Sequence, residues 1–257
     1  MRRLLVGLVA ALSFVLIPIA GPSQAEPVTR AHQADKAGDP NYHKPVVGEC
    51  RDMTIADIYP HSNTTPTLDC TEAHTSKVIA VAQLPAGRTW ANTSTEAQWR
   101  IIYRKCYPAF NSILGRSHAV RDMTAFSSAW FIPNKAERNK GARWLRCDLV
   151  LYAGTKLADI PYDAAPMLPA PPLPDSVARC LTGKFYNTVC AAGHTFRASG
   201  TFQIASRKYP SERKFKNAGQ QRCPALVTTR SFRWTWPNES KWATGDHVVV
   251  CYSKTRN

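Results

Sequence analysis

The residues best equipped for chemistry are eight cysteines and the histidines that accompany two of them. Cys70 precedes His74, and Cys190 precedes His194, each at C-x3-H spacing. That spacing brings a thiolate and an imidazole within reach of one metal ion, and a second Cys/His pair would complete a tetrahedral zinc site. Disulfide formation competes for the same sulfurs. The set is even (Cys50, Cys70, Cys106, Cys147, Cys180, Cys190, Cys223 and Cys251), as a disulfide framework requires. A zinc site drawing on part of it would strand an odd thiol. The reading adopted is eight oxidised cysteines, each histidine ordering its turn by a hydrogen bond, with no metal ligand and no cofactor. No C-x-x-C is present, which argues against a dithiol oxidoreductase.

Hydrolytic chemistry finds little support. The chain has no G-x-S-x-G nucleophile turn, no H-E-x-x-H zinc helix and no Gly-rich phosphate loop. Paired carboxylates could still cut a glycan, and Glu49, Asp52, Glu72 and Asp148 lie near the cysteine framework. No catalytic residue is assigned, and a wall hydrolase with unlocated carboxylates is the rival reading. A different kind of site is suggested by Arg230, Arg233, Trp234, Trp236, Lys241 and Trp242, which crowd one short stretch. Aromatic rings stack on sugars and cations bind anionic groups, so Arg230, Arg233, Trp236, Lys241 and Trp242 form a candidate binding surface. Core tryptophans inside a solvated basic rim would give the same pattern.

The elements that must position these residues repeat. Trp130, Pro133, Asn134, Gly141 and Cys147 recur as Trp234, Pro237, Asn238, Gly245 and Cys251, every one displaced by 104 positions. A W-x2-P-N-x6-G-x5-C pattern at identical spacing, with His74 and His194 in matching C-x3-H motifs, reads as a duplication. In each unit, strand-like residues follow the histidine: Lys77–Ala82 in the first, Thr195–Ala198 and Thr201–Ile204 in the second. A helix comes next. Thr93 and Glu96 have capping-box spacing ahead of Trp99, Ile102, Tyr103 and Cys106, and Pro210-Ser211-Glu212 can open a helix running to about Cys223. Each unit closes with the Trp/Pro-Asn turn and a strand, Trp144–Tyr152 or His247–Tyr252. The expected fold class is α+β: two small tandem repeats, each a small, mainly antiparallel sheet with one packed helix and two disulfides. The first unit is longer, with insertions before Cys70 and around Asn111–Thr124.

Four cysteines allow three pairings per unit, and sequence does not choose among them. The working expectation is Cys50–Cys70, Cys106–Cys147, Cys180–Cys190 and Cys223–Cys251, in which the second bond of each unit pins its helix to the closing strand.

The ends and the middle set compartment and organisation. Arg2-Arg3, an uncharged apolar run from Leu4 to Ala20, and small residues Ser23 and Ala25 ahead of Glu26 make residues 1–25 a secretory signal, cleaved near Ala25-Glu26. Residues 26–44 read as a flexible lead, 45–158 as the first unit, 159–176 as a Pro-rich linker and 177–257 as the second unit. Six prolines between 161 and 174 remove amide donors and fix φ, so this stretch is expected to be a semi-rigid spacer. No later segment is apolar enough to cross a membrane. The net charge of +15 falls by only two when Arg2 and Arg3 leave with the signal. Outside a cell such a charge attracts an anionic cell-wall or membrane-surface component or an acidic envelope protein, and export argues against nucleic acid.

Val47-Gly48-Glu49-Cys50 followed by Asp69-Cys70-Thr71-Glu72-Ala73-His74 resembles the G-D-C…C-x-x-x-H opening of the actinobacterial septum formation domain family. Cys106, Trp130-Phe131-Ile132-Pro133 and Cys147 occupy positions similar to that family's third cysteine, W/Y-x-x-P turn and fourth cysteine. The resemblance covers residues 46–155 and, more loosely, 177–253, where the Gly before the first cysteine is lacking. It implies an exported cell-envelope protein associated with septum formation, a binding or scaffolding module with no catalytic residues.

Overall fold

Runs of β-branched, aliphatic and aromatic residues make the two longest closing strands, and the rest of the chain is arranged on them. The computed structural model describes residues 38–161 and 167–255. In chain order the strands are β1 (Cys50–Arg51), β2 (Ser76–Gln83), β3 (Phe126–Phe131), β4 (Trp144–Ala153), β5 (Lys156–Ala158), β6 (Arg179–Leu181), β7 (Asn187–Val189), β8 (Phe196–Gln203), β9 (Phe232–Thr235) and β10 (Val248–Lys254). The helices are α1 (Ile55–Ile58), α2 (Thr95–Leu114), α3 (His118–Arg121), α4 (Lys135–Asn139), α5 (Glu212–Arg222) and α6 (Glu239–Trp242). This is a mixed α/β protein with an antiparallel sheet and four disulfides.

β4 is the hub. It pairs with β2 along one edge and β3 along the other, and its last residues meet β5 and, through Ala153 and Thr188, β7. β6 carries the sheet on from β7 to β8, then β10 and β9, so one continuous ten-stranded sheet runs through both halves of the chain. Two separately folded units were the expectation. The joint is made instead by three-residue strands and a shared core, in which Tyr107, Phe110 and Leu149 of the first half pack with Val177 and Val189 of the second.

The described part of the Pro-rich stretch, 159–161 and 167–176, lies against the fold as a strap and does not stand clear as a spacer. Ile160, Met167, Leu168 and Leu173 are buried, and the Met167 and Leu168 amides donate to Ile113 and Leu114 carbonyls at 2.9 and 3.2 Å. The prolines themselves stay outside, with Pro161, Pro171, Pro172 and Pro174 exposed, and the segment docks because its Ile, Met and Leu side chains leave water. Residues 38–44, expected to belong to a flexible lead, are also packed. Arg143 N donates to Pro40 O at 3.1 Å and Trp144 Nε1 to Tyr42 O at 3.0 Å, while Gly141, at φ +100°, lies against Gly38. The signal-peptide reading and the rest of the lead fall outside the described residues.

Both halves use the same local devices. Cys50 is bonded to Cys70 and Cys180 to Cys190; Cys106, within α2, is bonded to Cys147 of β4, and Cys223, just after α5, to Cys251 of β10. Trp130 pairs directly with Cys147, and Trp234 with Cys251. Asn134 and Asn238 cap α4 and α6, accepting from Glu137 N at 3.0 Å and Lys241 N at 2.9 Å. α2 begins one residue later than the capping-box spacing suggested. Ser94 accepts from Ala97 N, while the Thr93 hydroxyl turns back to Thr89 O at 2.7 Å. Ser211 caps α5 in the same way, accepting from Lys214 N at 3.3 Å.

α5 carries Gly219 where Trp234 presses closest. A Cβ there would sit 2.2 Å from Trp234 Nε1. Gly→Ala inside a helix ordinarily gains about 1 kcal/mol, yet here the ring must move or the helix must bend, costing about 1–3 kcal/mol. Gly219→Ala is expected to lower the thermal unfolding midpoint, and a rise would contradict the packing of Trp234 on α5.

Candidate binding cleft

Helical spacing puts Trp99, Tyr103, Tyr107 and Phe110 along one face of α2. Opposite them stand Ser128 and Trp130 of β3, and Lys241 of α6 reaches in from the second half. Between these walls is a cavity of about 270 Å³. It shares Trp99 and Tyr103 with a wider groove of about 570 Å³, rimmed by Arg100, Arg104 and Glu239. The rings hold one another in place: Trp99 meets Trp130 edge-on at 5.2 Å, and His61 stacks behind Trp130 at 4.4 Å. Trp99 remains 39% exposed at the mouth. Asn238 Nδ2 donates to Tyr103 Oη at 3.4 Å, tying the α6 cap to α2.

The inner end of the cleft is polar. Tyr107 donates its hydroxyl to Asp246 Oδ2 at 2.8 Å, and Val248 N donates to Oδ1 at 3.2 Å. Asp246 is 1% exposed, and its charge is felt at the nearby Asp122 carboxyl. Burial, reinforced by the Asp246 charge, pushes Asp122 up to about 7. The Tyr107 phenol is held far above its ordinary value by burial and then by Asp246. Burial, then Arg121, lowers His118. Lys241 is lowered by burial first and by the nearby Arg179 second. Among the described residues the Lys241 amine forms no ion pair within 4 Å and no side-chain hydrogen bond, while the nearby Asp122 and Asp246 charges favour its charged form, so a cation lines an aromatic cleft.

The residues singled out by sequence take several roles. His74 and His194 face their own turns, with Nδ1 2.8 Å from Glu72 O and Ala192 O. With every described cysteine in a disulfide, no thiolate stands beside either imidazole. Pro133 and Pro237 are buried where strand passes to helix cap, and Gly141 and Gly245 take φ of +100° and +92°. Glu49 is paired with Arg51 at 2.6 Å, and Asp148 is buried between Arg146 and Ser76 at 3.0 and 2.9 Å. The acids around the first cysteine framework are thus partly committed to ion pairs and form no shared carboxylate site.

The candidate surface of Arg230, Arg233, Trp236, Lys241 and Trp242 does not assemble in one place. Trp242 is a core residue at 3% exposure, stacked on His247 at 4.0 Å, and Trp236 stacks on Phe215 at 5.1 Å. Their rings bury more apolar area inside than a surface would use. Arg230 and Arg233 are exposed beside and on β9, and only Lys241 enters the cleft. Sequence reasoning missed Tyr107, Phe110, Asp122 and Asp246. The aromatic spacing on α2 was a readable signal for the first two; nothing in the sequence linked the acids.

Fold and cleft together define a disulfide-stapled α+β protein with a ligand-sized aromatic recess where its two halves meet. A family model described as septum formation matches residues 47–251 as one stretch, and the chain belongs to that family. It is not a known enzyme family. No curated protein and no solved structure matches the chain. Four disulfides and family membership fit an extracytoplasmic location, and no described helix is long and apolar enough to cross a membrane.

The acid pair gives stability a pH dependence. Asp122 keeps its proton to higher pH in the folded state than in the unfolded one, so folding takes up a proton between about pH 4 and pH 7, and stability falls as pH rises through that window. Denaturant unfolding of wild type and Asp122→Asn at pH 4.5 and pH 8 is expected to show the wild type losing on the order of 2–4 kcal/mol relative to the variant. Equal losses would mean that Asp122 does not titrate there.

Proposed function

We propose that this is an exported, non-catalytic binding module of the septum-forming cell envelope, and that its cleft takes an anionic wall glycan. The observation that carries the reading is the Lys241 amine, with no hydrogen bond or close ion pair of its own, in a recess walled by Trp99, Tyr103, Tyr107 and Trp130. Aromatic faces stack on the C–H faces of sugar rings, and a cation in a partly desolvated recess selects a carboxylate or phosphate carried by the glycan. The net charge of +15 supports the same class of ligand by drawing the chain to an anionic polymer before the cleft engages. Residues 1–25 act as the export signal. The chain is further read as two tandem copies of one unit, supported by matching disulfides, matching Asn caps and the Trp–Cys strand pairs that occur once in each half.

One observation favours a wall hydrolase, namely a carboxyl held protonated near neutral pH close to Tyr107 and Lys241. Glycoside hydrolysis uses two carboxyls that both flank the scissile bond, and Asp246 is buried at 1% exposure. Asp246 also has both oxygens committed, to Tyr107 and Val248. The pair serves better as a clamp joining α2 to β10.

Tryptophan fluorescence offers a direct test. A muramic-acid-containing tetrasaccharide is expected to quench the wild type, with Trp99→Ala and Lys241→Met each binding about tenfold more weakly, as the loss of one ring or one charge-assisted contact of about 1.4 kcal/mol implies. No binding by the wild type would sink the reading. Release of reducing ends by the wild type, lost in Asp122→Asn, would put the hydrolase in its place.

A further inference from the structure

The groove between α5 and β9 has the same construction as the cleft between α2 and β3. Each helix is anchored to its strand by a disulfide, Cys106–Cys147 in one and Cys223–Cys251 in the other. In each, the strand cysteine pairs directly with a tryptophan, Trp130 or Trp234. Counting three residues back from the helix cysteine reaches Tyr103 in the first and Gln220 in the second, and both line their groove. Ser127 and Ser128 line the first where Ser231 and Phe232, displaced by 104, line the second. The second groove measures about 490 Å³ and is shallower in build. Ile102 becomes Gly219, which lets Trp234 lie down against α5 and leaves its ring and Phe232 as a floor.

Charge separates the second groove from an ordinary apolar seam. Arg230 and Arg233 border it and no acidic residue does, with the Arg233 guanidinium turned over Phe185 and Phe196 at 5.8 and 5.6 Å and Arg230 left as the cation that faces it. Arg230 is exposed and, among the described residues, makes no hydrogen bond or ion pair. β9 ends the sheet order, so the groove opens along a sheet edge where a long polymer can pass. The segment that crowds basic and aromatic residues therefore serves two places: Arg230, Phe232 and Trp234 face this groove, and Lys241 faces the other.

We infer that the α5–β9 groove is a second glycan site, so that one chain holds two segments of an anionic wall polymer. This rests on the glycan reading of the first cleft. Two sites held at a fixed spacing on one rigid sheet raise affinity for a polymer well above that for a short fragment.

Native mass spectrometry of the full mature chain with a muramic-acid-containing tetrasaccharide tests it. The wild type is expected to take up two molecules. Arg230→Glu, an exposed change that the fold tolerates, should weaken one event at least tenfold and leave the other intact, whereas Lys241→Met should weaken the other. Binding to a long glycan should exceed binding to the tetrasaccharide by at least tenfold in the wild type and lose that advantage in Arg230→Glu. Saturation at one molecule, lost in Lys241→Met and unaffected by Arg230→Glu, would overturn the second site and leave the first standing. No uptake at all would overturn both.

Discussion

The covalent pin between helix and central strand is the constraint on which the rest depends. Cys106 to Cys147 fixes α2 over β4, and because Trp130 pairs with Cys147, the same bond sets how far the Trp130 ring stands from Trp99 and Tyr103. A helix held only by apolar packing could slide by a fraction of a turn and close the recess. The disulfide prevents that while restricting the unfolded chain, a contribution of about 2–4 kcal/mol. Cys223–Cys251 does the equivalent for α5 and Trp234. A cavity beside such pins can stay open without the usual tendency of apolar walls to collapse onto one another.

The second constraint is the joint between halves. Three-residue strands supply few hydrogen bonds there, and the shared apolar core and the Pro-rich strap carry more of the burial. Across the same joint Tyr107 reaches Asp246, bringing residues 139 positions apart into a buried hydrogen bond. Two carboxyls in that position are costly when both are ionised, which pushes Asp122 up, and Arg179 and Lys241 stand nearby. The cost falls on the charge state, and the benefit falls on geometry, since the clamp fixes the segment that carries Lys241.

What was legible in the sequence follows from how local each signal is. The two long helices, the closing strands and the Asn turns rest on caps, periodicity and β-branched runs within a dozen residues, and these emerged with ends shifted by one or two positions, except that α2 runs eight residues past Cys106 to Leu114. The family was legible in the C-x3-H opening and the W-x2-P turn. Fusion of the sheet was not, because three-residue strands such as β6 and β7 carry no period. The strap was not legible, for a related reason: six prolines suggest a semi-rigid spacer between two folded units, while Ile160, Met167, Leu168 and Leu173 dock the described part of the segment and leave most of its prolines outside. At the cleft, Lys241 stands out in the sequence only as a basic residue among tryptophans of its own stretch. Its companions on that stretch, Trp236 and Trp242, pack inward, and its real neighbours come from α2, more than 130 positions earlier.

That last displacement bears on function. A stretch rich in tryptophan and arginine is easily taken for one surface, yet strand alternation and a helix cap split it. Phe232 and Trp234 share one side of β9, the chain then turns through Pro237 and Asn238, and the first turn of α6 delivers Lys241 to the other half of the molecule. The cap matters because Asn238 both accepts from Lys241 N and donates to Tyr103 Oη, so the backbone that carries the amine is tied to the helix that carries the rings. The cap thereby fixes where the backbone of Lys241 stands against the rings of α2, which limits the positions its amine can reach to the inner part of the recess.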